Sequence, residues 1–372
     1  MSELIYLNNA ATSWPKPPGV AEAVSEALKA PPGAMRRGGI EDFDVFDEAR
    51  RLIAPLMGIS RPSQIALGPN ATWALNLAIF GLELKAGDSV LSTKAEHNSV
   101  LRPLYALEKR GVKAVYLDTD ETGRVSPRDW ERALEEYRPK LSVFTHASNV
   151  TGAANDAAAL TRAAKAAGSL VLVDASQTLG WLPLEAERWG ADMLAFTGHK
   201  YLLGPQGTGG LWVKEGLLLE PRLKGGTGIM SDLAEMPEEM PLRLEAGTGN
   251  EPSFYGLCAA LKWAAENPRD IKRDGALLER LTEGLKAAGA QVIEPVGERT
   301  PVVSFTLPGV SAAEAGFMLH ESCGIVCRTG LHCAPKIFEC LKVRQTVRFS
   351  LSRFTTESEI EEAIAAVEAV RG

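Results

Sequence analysis

Cysteine is scarce in this chain. Five occur in 372 residues, too few for a disulfide scaffold, and a reducing cytosol is the simplest compartment for them. Long apolar runs are missing too, and no window approaches the ~20 residues a membrane span needs. The opening residues, Met1-Ser2-Glu3-Leu4-Ile5-Tyr6, lack the basic start and apolar stretch of a secretory signal. Basic residues never run longer than pairs such as Arg36-Arg37 and Arg50-Arg51, and net charge is −7, so no nucleic-acid footprint is visible. There is no internal repeat and no low-complexity segment. What remains is an acidic chain expected in the cytoplasm. Its 45% hydrophobic content suffices for one large core and a second, smaller domain.

From about residue 60 to 215 the pattern alternates between strand and helix. Strands are expected over 64–68, 88–92, 112–117, 141–146, 170–174 and 192–197. Helices are expected over 71–81, 99–110, 127–137 and 157–167. Such alternation implies a mostly parallel sheet covered by helices, to which 211–213 adds an antiparallel strand. Residues 223–250, rich in Gly, Met and Pro, read as loops lining a site or an interface. A helix-rich stretch over 252–289 and an α+β tail follow. The expected division is a large domain over 15–250 and a small one built from 1–14 and 251–372.

Two apolar runs end in chemistry. Leu170-Val171-Leu172-Val173-Asp174 delivers a carboxylate, and Ala195-Phe196-Thr197-Gly198-His199-Lys200 an amine 26 residues later. Buried parallel strands present such groups at the carboxyl edge of a sheet. Pyridoxal phosphate chemistry needs both: a lysine for the Schiff base and an acid to hold the pyridinium proton. Other strand ends add candidates. Asn70-Ala71-Thr72 opens a helix whose free N–H groups suit a phosphate, although alone it is more simply a helix cap. His97 could stack on a planar ring, or be structural. Asn149 and Gln177 could serve a phenolic oxygen, with a turn asparagine as the plainer reading of the first. Thr197 and His199 could hold phosphate. None is specific alone; their convergence on successive strand ends carries the weight.

At these residues the chain resembles the class V aminotransferases, pyridoxal phosphate enzymes of fold type I. The likeness runs from Tyr6-Leu7-Asn8-Asn9-Ala10-Ala11-Thr12 to Val347-Arg348-Phe349-Ser350. It implies an α/β fold, with a mostly parallel seven-stranded sheet in the large domain and a small α+β domain. It also implies that Lys200 carries the cofactor, that Asp174 holds the ring nitrogen and that His97 stacks on the ring. Asn149 and Gln177 would then lie at the phenolic oxygen, and Ala71, Thr72, Thr197 and His199 at the phosphate. Thr248, in Glu245-Ala246-Gly247-Thr248, matches a phosphate contact that the family takes from the neighbouring subunit, which implies a homodimer.

Arg328-Thr329-Gly330-Leu331-His332-Cys333-Ala334-Pro335 is the second signal. Gly330 permits a turn and Pro335 suits a helix start, so Cys333 is expected on a short loop near a helix amino terminus. His332 and Arg328 stand close in sequence, a setting that favours a thiolate. The segment resembles the loop of group II cysteine desulfurases. The resemblance implies attack by Cys333 on the sulfur of L-cysteine, giving alanine and a protein persulfide for a sulfur-acceptor protein. Arg348, and secondarily Arg328, would pair with the substrate carboxylate. A selenocysteine lyase, a cysteine sulfinate desulfinase, or a transaminase or epimerase with an incidental Cys333 fits the same residues. A silent scaffold for a sulfur carrier is disfavoured by the intact Lys200–Asp174 pair. Cys323, Cys327, Cys333 and Cys340 lack a Cys-x-x-Cys spacing, so no metal site is expected. The chain departs from the family's pattern in three places: no histidine over 35–41, Asn8 for an aspartate, and Leu331 for a histidine.

Overall fold

The computed structural model describes residues 4–31 and 44–371. The stretch 35–41 that lacks the family's histidine lies outside the described residues. The chain opens with β1 (Ile5–Tyr6), α1 (Val20–Lys29) and α2 (Val45–Met57). The expected alternation follows as β2 (Ile65–Gly68), α3 (Ala71–Gly81), β3 (Ser89–Thr93), α4 (Asn98–Glu108), β4 (Lys113–Leu117) and α5 (Pro127–Tyr137). It continues with β5 (Leu141–Thr145), α6 (Ala157–Ala166), β6 (Leu170–Asp174), α7 (Ala186–Trp189), β7 (Met193–Thr197) and β8 (Gly209–Val213).

These strands form a seven-stranded sheet in the order β2-β8-β7-β6-β5-β3-β4. Only β8 runs against the rest, pairing antiparallel with β2 and β7. β5 and β7 are buried along their whole length, which is why they read as apolar runs instead of alternating ones. Side chains still alternate between two cores. Phe144, Val171, Val173, Leu194 and Phe196 face one cluster, with Trp130 of α5 and Leu160 of α6. Leu141, Val143, Leu172, Met193 and Ala195 face the other, with Leu75 of α3 and Leu104 of α4. The class α/β reading is therefore met, as three layers.

The remainder comprises α8 (Glu251–Glu266), α9 (Ile271–Ala287), β9 (Gln291–Ile293), β10 (Val302–Thr306), α10 (Ala312–Cys323) and β11 (Ile325–Val326). β12 (Arg328–Gly330), α11 (Ile337–Leu341), β13 (Thr346–Ser350) and α12 (Glu357–Arg371) complete it. A four-stranded antiparallel sheet, β12-β13-β10-β9, packs on α9, α10 and α12 around Leu281, Phe305, Phe349 and Ile360. β1 pairs with β11, and Leu7 is buried in the same cluster. Phe254, Leu257, Cys258 and Leu261 of α8, by contrast, pack into the large sheet's core. We therefore propose that the division between domains falls after α8, not at residue 250.

Among the described residues no helix is long and apolar enough to cross a membrane. The 223–250 stretch holds no strand and only a short 3-10 turn at Leu242–Leu244. It is anchored by Glu245, which is buried against Arg50 at 2.5 Å and accepts the Leu67 amide at 2.6 Å. Leu223, Met230 and Leu233 are exposed along it.

Candidate active site

The carboxyl ends of β2, β3, β5, β6 and β7 open onto one cavity of about 220 Å³. Ten of the thirteen residues singled out in the sequence border it: Ala71, Thr72, His97, Asn149, Asp174, Gln177, Thr197, His199, Lys200 and Arg328. Arg348, Cys333 and Thr248 do not line it.

Asp174 ends β6 and is 4% exposed. Its Oδ1 accepts the Ser176 amide at 2.9 Å and the Ser176 hydroxyl at 2.5 Å, which leaves Oδ2 for a partner in the cavity. Lys200 follows β7. Burial pulls its amine down to about 8, while the negative charge of Asp174 acts in the opposite direction. The β7 end turns tightly, and a Cβ on Gly198 would collide with Thr208.

His97 caps α4: its Nδ1 accepts the Ser99 amide at 3.1 Å. With Nδ1 as acceptor, the neutral ring carries its proton on Nε2. Burial, aided by the charges of Lys200 and Arg328, lowers this histidine to about 3. The Ser99 hydroxyl lies 2.9 Å from that Nδ1 and 2.7 Å from Thr72 Oγ1, so it ties the starts of α3 and α4 together. Asn70 caps α3 through the Trp73 amide, and the helix start presents its unpaired N–H groups and dipole to the cavity.

Asn149 and Gln177 carry additional duties. Asn149 Nδ2 donates to the His332 carbonyl at 2.7 Å, and Gln177 Nε2 to the Ala10 carbonyl at 3.0 Å. Gln177 Oε1 is buried without a partner, an acceptor suited to a ligand's donor. Arg348 is fully buried behind the cavity. It donates to the Asn149 carbonyl at 2.7 Å and to Asn8 Oδ1 at 3.2 Å. Asn8, which stands where the family has an aspartate, thus holds this arginine. Arg328 borders the cavity itself and reaches Cys333 Sγ at 2.8 Å.

Cys333 lies on a loop before α11, which begins at Ile337, two residues past Pro335. The Cys333 carbonyl accepts the Asn98 amide, at the amino end of α4, at 2.7 Å. His332 and Cys333 both have left-handed backbones, with φ of 49° and 61°. His332 differs from expectation. Its ring turns away from the thiol to Thr346 Oγ1 at 2.8 Å, and burial lowers it to about 3, so it adds no charge to Cys333. Leu331 at the loop's crest is 42% exposed. Thr248 is exposed and lies on a separate cavity of about 300 Å³ between the 245–250 loop, Phe46 and Trp73. Within one chain it does not reach the Lys200 cavity.

Sequence reasoning missed Ser99, Ser176 and Glu96. The first two each follow a singled-out residue by two positions, which is the signal available for them. Glu96 is wholly buried; its Oε1 accepts from Thr93 Oγ1 at 2.6 Å and from the Thr145 amide at 3.0 Å, while Oε2 has no partner. Burial raises it to about 8, so at neutral pH it is largely a neutral acid. It joins the ends of β3 and β5, one residue before His97 in the chain. The set as a whole fits pyridoxal phosphate: an amine and a carboxylate with one oxygen left over, a neutral histidine on the cavity wall and a helix start with hydroxyls.

The family model for class V aminotransferases matches residues 5–363. The chain is similar to a probable cysteine desulfurase of Pyrococcus abyssi, 32% identical over 383 residues, covering 98% of this chain and 94% of that one. It is 30% identical to a cysteine desulfurase of Haloferax volcanii, covering 99% and 89%. Among solved structures, an apo cysteine desulfurase from Thermococcus onnurineus superposes with a TM-score of 0.88 at 30% identity, covering 98% and 94%. An Escherichia coli cysteine desulfurase does so with 0.84 at 27% identity, covering 99% and 94%.

Proposed function

The chain belongs to the class V aminotransferase family, and from that premise we propose that it is a cysteine desulfurase working through pyridoxal phosphate. The single observation that carries the reading is the Arg328–Cys333 contact at 2.8 Å, which links a thiol to the cavity holding Lys200 and Asp174. Bound pyridoxal phosphate would supply an electron sink for the substrate's α-carbon. Lys200 would hold it, Asp174 Oδ2 would face its ring nitrogen, His97 its ring, and the α3 start with Thr72, Thr197 and His199 its phosphate.

The protein's own groups then have definite tasks. Arg328, backed by Arg348, holds the substrate carboxylate. Lys200, whose amine burial lowers to about 8 and so makes more readily available as a base than an ordinary lysine, takes the α-proton. His97, neutral with its proton on Nε2, hands a proton to or from the substrate. Cys333 attacks the substrate sulfur as thiolate: the substrate's carbon–sulfur bond breaks, a sulfur–sulfur bond forms, and the β-carbon takes a proton. Lys200 returns the α-proton, alanine leaves, and the persulfide on Cys333 waits for an acceptor protein. The exposed Leu331 beside it suits an apolar contact with that acceptor.

The test is to incubate the cofactor-loaded protein with sulfur-labelled L-cysteine and measure alanine and protein-bound sulfane sulfur. Cys333→Ser should keep the cofactor's colour and lose the label, because a serine hydroxyl is scarcely ionised and cannot carry sulfur. Label retained by Cys333→Ser and lost by another cysteine variant would sink the assignment.

A further inference from the structure

The amino-terminal segment meets the cavity wall at His199. Thr12 Oγ1 lies 2.5 Å from His199 Nδ1. The His199 carbonyl accepts the Ser13 amide at 2.9 Å, the Ser13 hydroxyl at 3.1 Å and the Lys16 amine at 3.2 Å. Thr12 is held in turn by Tyr6, whose hydroxyl donates to the Thr12 carbonyl at 2.9 Å. Tyr6 lies in β1, paired to β11. A continuous set of contacts thus runs from the second domain's edge to one residue of the cavity.

His199 is neutral at neutral pH, since burial lowers it to about 4. A neutral imidazole has one N–H and one lone pair. The Thr12 hydroxyl can donate to Nδ1 or accept from it; when it donates, the N–H sits on Nε2, the ring nitrogen left for a ligand. A phosphate oxygen only accepts, so it needs that tautomer; the other would present a lone pair to an anion. Lys16, half-buried in the same cluster, has no carboxylate in ion-pair range among the described residues, so an anion nearby would balance it.

We propose that Thr12 is a positioning residue that fixes His199 as the Nε2–H tautomer and so sets how tightly the cofactor's phosphate is held. This rests on the reading of Thr72, Thr197 and His199 as the phosphate end. Thr12 touches neither the substrate nor the reacting atoms; it acts through His199.

The experiment compares pyridoxal phosphate with pyridoxal, which lacks the phosphate, in spectrophotometric titrations of the cofactor-free protein. Wild type should bind the phosphate form far more tightly. Thr12→Val should weaken pyridoxal phosphate roughly tenfold, as loss of a charge-assisted hydrogen bond implies, and leave pyridoxal within about twofold. Thr12→Ser should restore the wild-type value. Unchanged pyridoxal phosphate affinity in Thr12→Val overturns the proposal, and so does an equal loss for both ligands, which would mark a merely structural contact. Equal binding of the two ligands by wild type would instead overturn the phosphate reading itself. Nitrogen NMR of His199 in the loaded wild-type protein decides independently of any variant: a proton on Nε2 is expected, and one on Nδ1 refutes the role of Thr12.

Discussion

Arg328 Nη2 lies 2.8 Å from Cys333 Sγ, so the guanidinium that borders the cavity also touches the thiol beside it. On the proposed function, one side chain would address both the substrate's carboxylate and the thiol that takes its sulfur. The left-handed backbones of His332 and Cys333 are uncommon for such residues and are held by the Asn98 and Asn149 hydrogen bonds. Arg328→Ala should therefore raise KM and lower kcat together, reducing kcat/KM for L-cysteine by roughly a hundredfold. Arg328→Lys should recover only part, because an ammonium lacks the planar fork. Steady-state kinetics decide; a change confined to KM would mean that the thiol contact is idle.

Lys200 makes a pH prediction. Its folded value, about 8, lies below the ordinary ~10.4 of an unfolded lysine. Between these values the unfolded chain holds a proton that the folded chain has shed. The cofactor-free protein should therefore gain stability from this group as pH rises through that window. Condensation with an aldehyde needs the neutral amine. The rate of pyridoxal phosphate loading should climb about tenfold per pH unit below 8 and level off above it. A rate still climbing between pH 9 and 10, followed by absorbance, would contradict the depressed value.

Glu96 predicts the opposite slope. Its folded value of about 8 lies above the ordinary carboxylate range, so folding keeps a proton that the unfolded chain loses first. Its contribution is fully present at low pH and is lost as pH rises through 8. Glu96→Gln, which copies the protonated acid, should gain on wild type by about 1.4 kcal/mol per pH unit between pH 5 and 8. Urea unfolding at the two pH values measures the gain. A constant difference would show an ionised Glu96.

Thr248 stands outside its own chain's Lys200 cavity. If it serves a partner's phosphate end, Thr248→Arg and Lys200→Ala should each be nearly inactive. Mixed dimers of the two should regain activity, since one site of each mixed pair carries both defects and the other none. Mixing that restores nothing, with subunit exchange verified, would contradict a shared site.

Much of this protein is legible in its sequence because local physics is strong there. Buried parallel strands read as apolar runs, and the helices between them carry caps such as Asn70 and Ser126. The expected elements between residues 64 and 213 lie within a few residues of those observed. The polar residues at strand ends had to meet, since every parallel strand delivers its end to the same edge. Lys200, Asp174 and His97 were found for that reason.

Other features depended on which distant groups share space. The apolar face of α8 gives no sign of which core it joins, and packing put it on the large sheet. His332 lies next to Cys333 in sequence, yet its backbone turns the ring to Thr346, 14 residues away. Arg348 is the expected carboxylate partner and Arg328 the secondary one; they stand opposite each other in register, yet the internal strand β13 buries the first while the edge strand β12 leaves the second at the cavity. Glu96 was silent for the same reason: a carboxyl's charge is decided by its burial. The sequence by itself determined the strands, their order of chemistry and the groups at their ends. Tertiary structure alone decided which of those groups are dry, which are charged and which touch, because desolvation and contact arise only when remote segments close on one another.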